Sequence, residues 1–362
     1  MNIYHQPWRL VQNQIRGRGG REIDKFRGIT PPTDFRNGSE AWIGSTTHVE
    51  NPPADKPYYG CSEVELPDGR RTFLFQAIQE APEEVLGEKH MAVNGTDIGV
   101  LVKYLDAQEQ YGLQCHPTRE WAMKKWGQSH GKAESWYVIG TRDDTPEPAY
   151  ILLGFKDGVT RADFEKYYRA GDIDGLESLC HKIPVKPGDS FFLGGGVPHA
   201  LGRGCFVIEV QEPQDITLMW WNWQLTHESL KRGVTTEEEY DDRLLGAYIY
   251  DGCTYEENLR RWKTPHDVMR SGDWGKEEMI VGPKHTTYFS FSEITLDGQT
   301  EIVKTGFPQI GIVKCGEGKL IWDGGEMAVK QGDEVFFPVD VPGLSVAGQL
   351  HLVLCNPEGA QV

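Results

Sequence analysis

Residues 185–199 read Val-Lys-Pro-Gly-Asp-Ser-Phe-Phe-Leu-Gly-Gly-Gly-Val-Pro-His, and residues 329–343 read Val-Lys-Gln-Gly-Asp-Glu-Val-Phe-Phe-Pro-Val-Asp-Val-Pro-Gly. The two stretches are one phrase at a constant offset, with 185 falling on 329 and 199 on 343. Each carries a Gly-Asp turn, Gly188-Asp189 and Gly332-Asp333, that opens a short apolar run readable as a strand. They part at the last position, where the first copy has His199 and the second Gly343. A module duplicated in one chain, with a histidine kept once and dropped once, predicts two scaffolds of one kind and a single metal site.

The surrounding sequence has the texture of an all-β protein. The 362 residues include 42 Gly and 21 Pro, which punctuate many short apolar runs. Strands are expected over 72–75, 99–105, 111–116, 134–139, 150–155, 190–193 and 206–211. A second set is expected over 287–295, 309–314, 319–322, 334–337 and 351–355. Helices are the minority. Thr160-Arg-Ala-Asp163 is a capping-box-like start whose helix should end at Gly171. Thr118 can cap a short helix through Trp126. Between the repeats the chain becomes charged, and Thr235-x-x-Glu238 and Thr254-x-x-Glu257 signal helix starts there. The repeated phrase resembles the second motif of the cupins, which are double-sheet jelly rolls. Gly194 stands where that motif has an early Pro, and the second copy has Pro338. The expectation is two cupin (jelly-roll) modules, a metal-binding one over 1–224 and a metal-free one over 276–362, joined by a helical connector over 225–275.

Ligands for a metal come from strand parity. In Tyr-Gly-Leu-Gln-Cys-His, residues 111–116, a period of two puts Gln114 and His116 on one face and Leu113 and Cys115 on the other. In the next strand Lys132, Glu134 and Trp136 share a face. With His199 this gives Gln114, His116, Glu134 and His199. Two imidazoles, a carboxylate and an amide oxygen suit a borderline divalent ion such as zinc, one per chain, with another divalent metal as the alternative. Taken singly, each histidine also reads as a loop or core residue; parity, order and the repeat together favour the site. Cys115 is expected to pack in the sheet.

Composition bounds the partners. A formal net charge of −17 and a pI of about 5.1 argue against nucleic acid or an anionic membrane. The 7 cysteines are scattered, with no C-x-x-C, which fits reduced thiols. The N-terminal residues carry Arg and Gly and no apolar h-region, and no run reaches membrane-span length. The expected setting is cytoplasmic, with a small-molecule ligand and a monomer or homodimer.

Several motifs, in order along most of the chain, resemble the type I mannose-6-phosphate isomerases. They are Glu40-Ala-Trp-Ile-Gly-Ser45, Leu101-Val-Lys103, Leu113-Gln-Cys-His-Pro117, Gly131-Lys-Ala-Glu134-Ser-Trp-Tyr137 and Gly196-Val-Pro-His199-Ala-Leu-Gly202. The resemblance implies zinc on Gln114, His116, Glu134 and His199, and a metal-free C-terminal cupin. It also implies interconversion of an aldose and a ketose phosphate through an enediol, with mannose 6-phosphate or a related sugar (phosphate) as substrate. Catalytic roles fall on Lys132, Glu209 and Asp215, and a substrate-binding role on Lys103; Gln211 is a substrate-binding candidate because it shares a strand face with Glu209. Arg203 is a further substrate-binding candidate, as a replacement cation. The pattern breaks at Met219, where the family has an arginine, and an aromatic run, Trp220-Trp-Asn-Trp223, follows. Three readings stay open: an apolar packing residue in a working site, a pocket for a different sugar, or a non-catalytic sugar-binding or regulatory cupin. An iron-dependent oxygenase is a fourth, weaker fit, because Gln114 would occupy a position such chemistry leaves open.

Overall fold

The computed structural model describes residues 2–17, 19–31, 38–50, 52–221, 224 and 233–360. The chain is mostly β-sheet in a cupin-like arrangement, with few helices. It divides into two compact units. The first contains Met1–Asp106, Ile208–Pro213 and Thr264–Val362; the second contains Ala107–Val207 and Gln214–Lys263.

The first unit is built on a ten-stranded sheet. Its long centre pairs Phe289–Glu301 with Ser345–Pro357, and the latter with Gln309–Trp322. Aliphatic side chains from these strands, among them Ile294, Leu296, Val313, Val346 and Leu352, fill its core. The chain's beginning joins the same sheet, because Trp8–Leu10 pairs with Glu334–Phe337 on one side and with Glu63–Glu65 on the other. Compact units are therefore cut differently from the order of motifs along the sequence. Residues 267–272, inside the expected connector, are a strand at the edge of this sheet.

The second unit holds a five-stranded sheet in the order Leu218–Met219, Gln114–Cys115, His199–Leu201, Tyr150–Phe155, Cys180–Pro184. Glu134–Thr141 pairs with Ser190–Leu193, placing Glu134 opposite Leu193. Leu113 and Cys115 are fully buried in a core with Leu152, Phe155, Phe164 and Tyr248, as period two requires. The strand there is shorter than expected, two residues instead of six, and His116 lies just past its end.

The sequence signals for helices meet the structure at particular atoms. Thr160 and Asp163 form a reciprocal capping box on Arg161–Ala170, and Gly171 ends that helix at φ 65°, a left-handed conformation that glycine adopts without strain. Thr118 and Thr254 cap Arg119–Trp126 and Tyr255–Trp262. One cap is displaced: Thr236, not Thr235, accepts from Glu239 N and starts Glu237–Leu245. The strand expected over 72–75 stops at Phe73, and Leu74–Glu80 is helical because Leu74, Ala77 and Ile78 recur at helical spacing and are buried. The connector's residues 225–232 lie outside the described residues.

The repeat survives in three dimensions. In the first copy Lys186 N donates to Asp189 Oδ2 at 3.0 Å, and in the second Lys330 N donates to Asp333 Oδ2 at 3.0 Å. Gly188 and Gly332 take φ 94° and 86°. Each aspartate also holds a distant cation, Lys263 at 2.7 Å and Arg9 at 3.1 Å.

Candidate metal centre

His116, Glu134 and His199 bring their ligand atoms within 4.8 Å of one another, and all three are buried. His199 is placed by the pairing of its strand with Gln114 and with Leu153. His116 Nε2 stands 3.0 Å from Glu134 Oε2, and His199 Nε2 stands 3.3 Å from Glu134 Oε1. The Gln114 amide is 3.4 Å from His199 Nε2. The four residues expected as ligands are thus together in one unit.

The hydrogen bonds behind the histidines decide which nitrogen faces the site. His116 Nδ1 lies 3.0 Å from the carbonyl of Ile216, and His199 Nδ1 lies 2.8 Å from that of Val197. A carbonyl only accepts, so each Nδ1 carries the proton and each Nε2 lone pair points at the carboxylate. Burial, with the Lys132 charge beside it, pushes His116 down to about 4, and burial lowers His199 as well. Although burial opposes it, the charge of Lys132 holds Glu134 well below the usual carboxylate range. At neutral pH the site is therefore two neutral imidazoles facing an anion. Both Glu134 oxygens are buried without a hydrogen-bond partner. Buried acceptors converging at such distances are costly unless a cation lies among them; the Lys132 ammonium reaches Glu134 Oε2 and His116 Nε2, and Glu134 Oε1 still faces His199 Nε2 at 3.3 Å. This donor set, nitrogen and oxygen without sulfur, fits a borderline divalent ion such as zinc.

Lys132 belongs to the same cluster, with its Nζ 2.8 Å from His116 Nε2 and 3.1 Å from Glu134 Oε2. Trp136, on the face that parity gave it, meets His199 edge-on at 5.5 Å. Asp215 is buried one residue before Ile216, whose carbonyl orients His116. Met219 pairs across from Gln114, and a Cβ on Gly112 would come within 2.6 Å of the Met219 methyl, so the thioether lies over that glycine. Trp220 is core, with Trp221 packed against it. Trp223 lies outside the described residues.

Lys103, Glu209 and Gln211 form a second cluster, in the other unit. The buried Lys103 ammonium donates to Glu209 at 2.8 Å and to Gln211 at 2.5 Å, and it lies 5.1 Å over the Trp42 ring. Trp42 Nε1 in turn donates to Glu40, which pairs with Arg16. Sequence reasoning named Lys103, Glu209 and Gln211 but missed the supporting Arg16. Arg203 does not join the metal cluster; it lines a separate cavity with Arg142.

Comparison with known proteins follows the same line. The mannose-6-phosphate isomerase cupin-domain model matches residues 280–357. A mannose-6-phosphate isomerase of Streptococcus mutans is 26% identical over 255 residues, 70% of this chain and 72% of that protein. The crystal structure of the Bacillus subtilis mannose 6-phosphate isomerase has a TM-score of 0.75 at 22% identity and covers 97% of this chain and 99% of that one. A mannose 6-phosphate isomerase bound with zinc and yttrium has a TM-score of 0.72 at 16% identity, again with 97% and 99% coverage. Motifs, fold and relatives agree in what they resemble: the chain is similar to mannose-6-phosphate isomerases along most of its length, and residues 280–357 match the cupin domain of that family.

Proposed function

We propose that the protein is a metal-dependent aldose–ketose isomerase acting on mannose 6-phosphate or a related sugar (phosphate) through an enediol. The observation that carries the reading is the buried Glu134 carboxylate set between two imidazole Nε2 atoms. Gln114, His116, Glu134 and His199 would hold the ion, with zinc the first choice. When bound, such an ion supplies electrostatic stabilisation to the oxygens of a developing enediolate.

The chain's own groups supply the rest. Lys132 is a buried amine beside the ligands, and a group so placed can hold or deliver a proton at Nζ. The carbonyls of Ile216 and Val197 fix the imidazole tautomers and so keep both Nε2 atoms unprotonated. Glu209 and Asp215 are assigned catalytic roles and Lys103 a substrate-binding role on the motif resemblance, and Gln211 a substrate-binding role because it shares a strand face with Glu209. Neighbours hold Lys103 rigidly, which supports a positioned ammonium. The two-cupin descent, with a metal-free C-terminal module, belongs to the same proposal; it rests on the repeated turn. A cytoplasmic setting and a monomer or homodimer complete it.

Met219 favours one competing reading, a sugar-binding cupin without turnover, because a thioether offers no charge to an anion. A coupled isomerase assay of the metal-loaded protein separates the two, run across phosphorylated and free aldoses with Met219→Arg beside the wild type. Turnover by the wild type that chelator abolishes supports the isomerase. Substrate-dependent thermal stabilisation with no product from any sugar selects the binding protein.

A further inference from the structure

We propose that the second unit carries another ligand site, for a small polyol phosphate, in the cavity that contains Arg203. This cavity of about 250 Å³ is lined by Gln108, Glu109, Arg142, Asp144, Thr145 and Arg203. None of these is a metal-ligand candidate. Glu134 begins the strand Glu134–Thr141 and Arg142 immediately follows its end, so the metal centre and the cavity are separated by roughly 25 Å of extended chain.

Three features make the cavity a built site. Its inner wall is the Arg142 guanidinium, whose side chain is 2% exposed and which forks onto both oxygens of Asp144 at 2.9 and 3.0 Å. That cation is fixed in place before any ligand arrives, which lowers the entropy lost on binding. Two opposite charges, Arg203 and Glu109, line the same space, yet neither makes an ion pair or a side-chain hydrogen bond with any described residue. Charges sharing a wall without meeting can each engage a different end of one ligand. Finally, Gln108 Oε1 is buried without a hydrogen-bond partner, an arrangement that costs free energy unless something donates to it.

The complement of this wall has an anionic end and hydroxyl donors. Arg203 presents a fork suited to phosphate oxygens. Glu109 and Gln108 Oε1 accept from hydroxyls. An apolar ligand finds little to contact, and a bare anion leaves Gln108 and Glu109 unsatisfied. The inference stands on this cavity alone and does not depend on what happens at the metal centre.

Isothermal titration of the metal-loaded full chain with glycerol 3-phosphate tests it; this probe has no carbonyl and cannot be isomerised between aldose and ketose. The expected result is saturable binding that weakens about tenfold or more in Arg203→Ala and in Gln108→Leu, and that is unchanged in Glu134→Ala, whose metal centre is disabled. Inorganic phosphate and glycerol are the control arms, and each should bind more weakly than the phosphorylated polyol. No saturable binding overturns the proposal, as does equal binding by Arg203→Ala. Loss in Glu134→Ala would place the probe at the metal centre and overturn it too. Inorganic phosphate binding as tightly as the probe overturns the polyol assignment. Circular dichroism and retained metal content establish that Arg203→Ala and Gln108→Leu are folded.

Discussion

Replacing Glu134 by alanine removes the one anion from a site that otherwise presents two neutral imidazoles, an amide and an ammonium. Metal content measured by atomic emission should fall from one ion per chain to a small fraction, and isomerase turnover with it. The metal-free protein should also show a distinct pH response. Folded His116 takes its proton only near pH 4, against about 6.5 in the unfolded chain. Between these values the unfolded state binds the extra proton, so stability rises with pH across the window. The contribution is fully present above about 6.5, falls as the pH drops, and is gone below about 4; its ceiling is about 3 kcal/mol. Urea midpoints of chelator-treated protein between pH 4 and 7 should follow that slope, and His116→Gln should flatten it. The side chains of this centre were legible in the sequence because period two sorts Gln114 and His116 from Leu113 and Cys115. The carbonyls of Ile216 and Val197 were not, since every residue has one and no side-chain pattern marks which will be used. Arg203 was named from its closeness in sequence to His199, and that closeness does not say to which end of a strand a loop residue turns.

At the level of elements, the two copies of the repeated turn differ most at the position of His199. Gly343 has φ 66°, and a Cβ there would meet Asp323 Oδ1 at 2.2 Å. A side chain at the position of His199 in the second copy would have to displace the Asp323 carboxylate and take up a left-handed backbone. Gly343→His should leave metal stoichiometry at one and lower the unfolding free energy by about 2 kcal/mol or more, from left-handed strain plus the clash, as read in a denaturant titration. The capping box of Arg161–Ala170 offers a milder test. Thr160→Ala should cost about 1 kcal/mol without altering activity. Strands with clear turn boundaries, such as Tyr150–Phe155 and Glu334–Phe337, were read to the residue. The runs over 309–314 and 319–322 are one strand, Gln309–Trp322, because Gly316 and Gly318 continue the ladder where punctuation alone signals a break.

For the molecule as a whole, the order of motifs hid how the chain's ends are used. Arg27 and Glu334 form a buried ion pair at 2.6 Å, with side chains 2% and 1% exposed, inside the first unit. Burial raises Glu334 while Arg27 opposes the shift. Arg27→Met strands a buried carboxylate and should destabilise the protein by about 3–5 kcal/mol. The double variant Arg27→Met with Glu334→Leu should recover much of that, measured as a coupling energy in a double-mutant cycle. The chain passes between the units after Asp106, Val207, Pro213 and Lys263. On the ribosome this sets a schedule. The strand Trp8–Leu10 is made well before its partner Glu334–Phe337, so the earlier segment waits through the synthesis of all of 107–263, on the order of ten seconds or more. During that wait the apolar surface of Trp8 and Leu10 has no native partner on that side, and a nascent-chain holdase that shields it should raise the yield of folded enzyme.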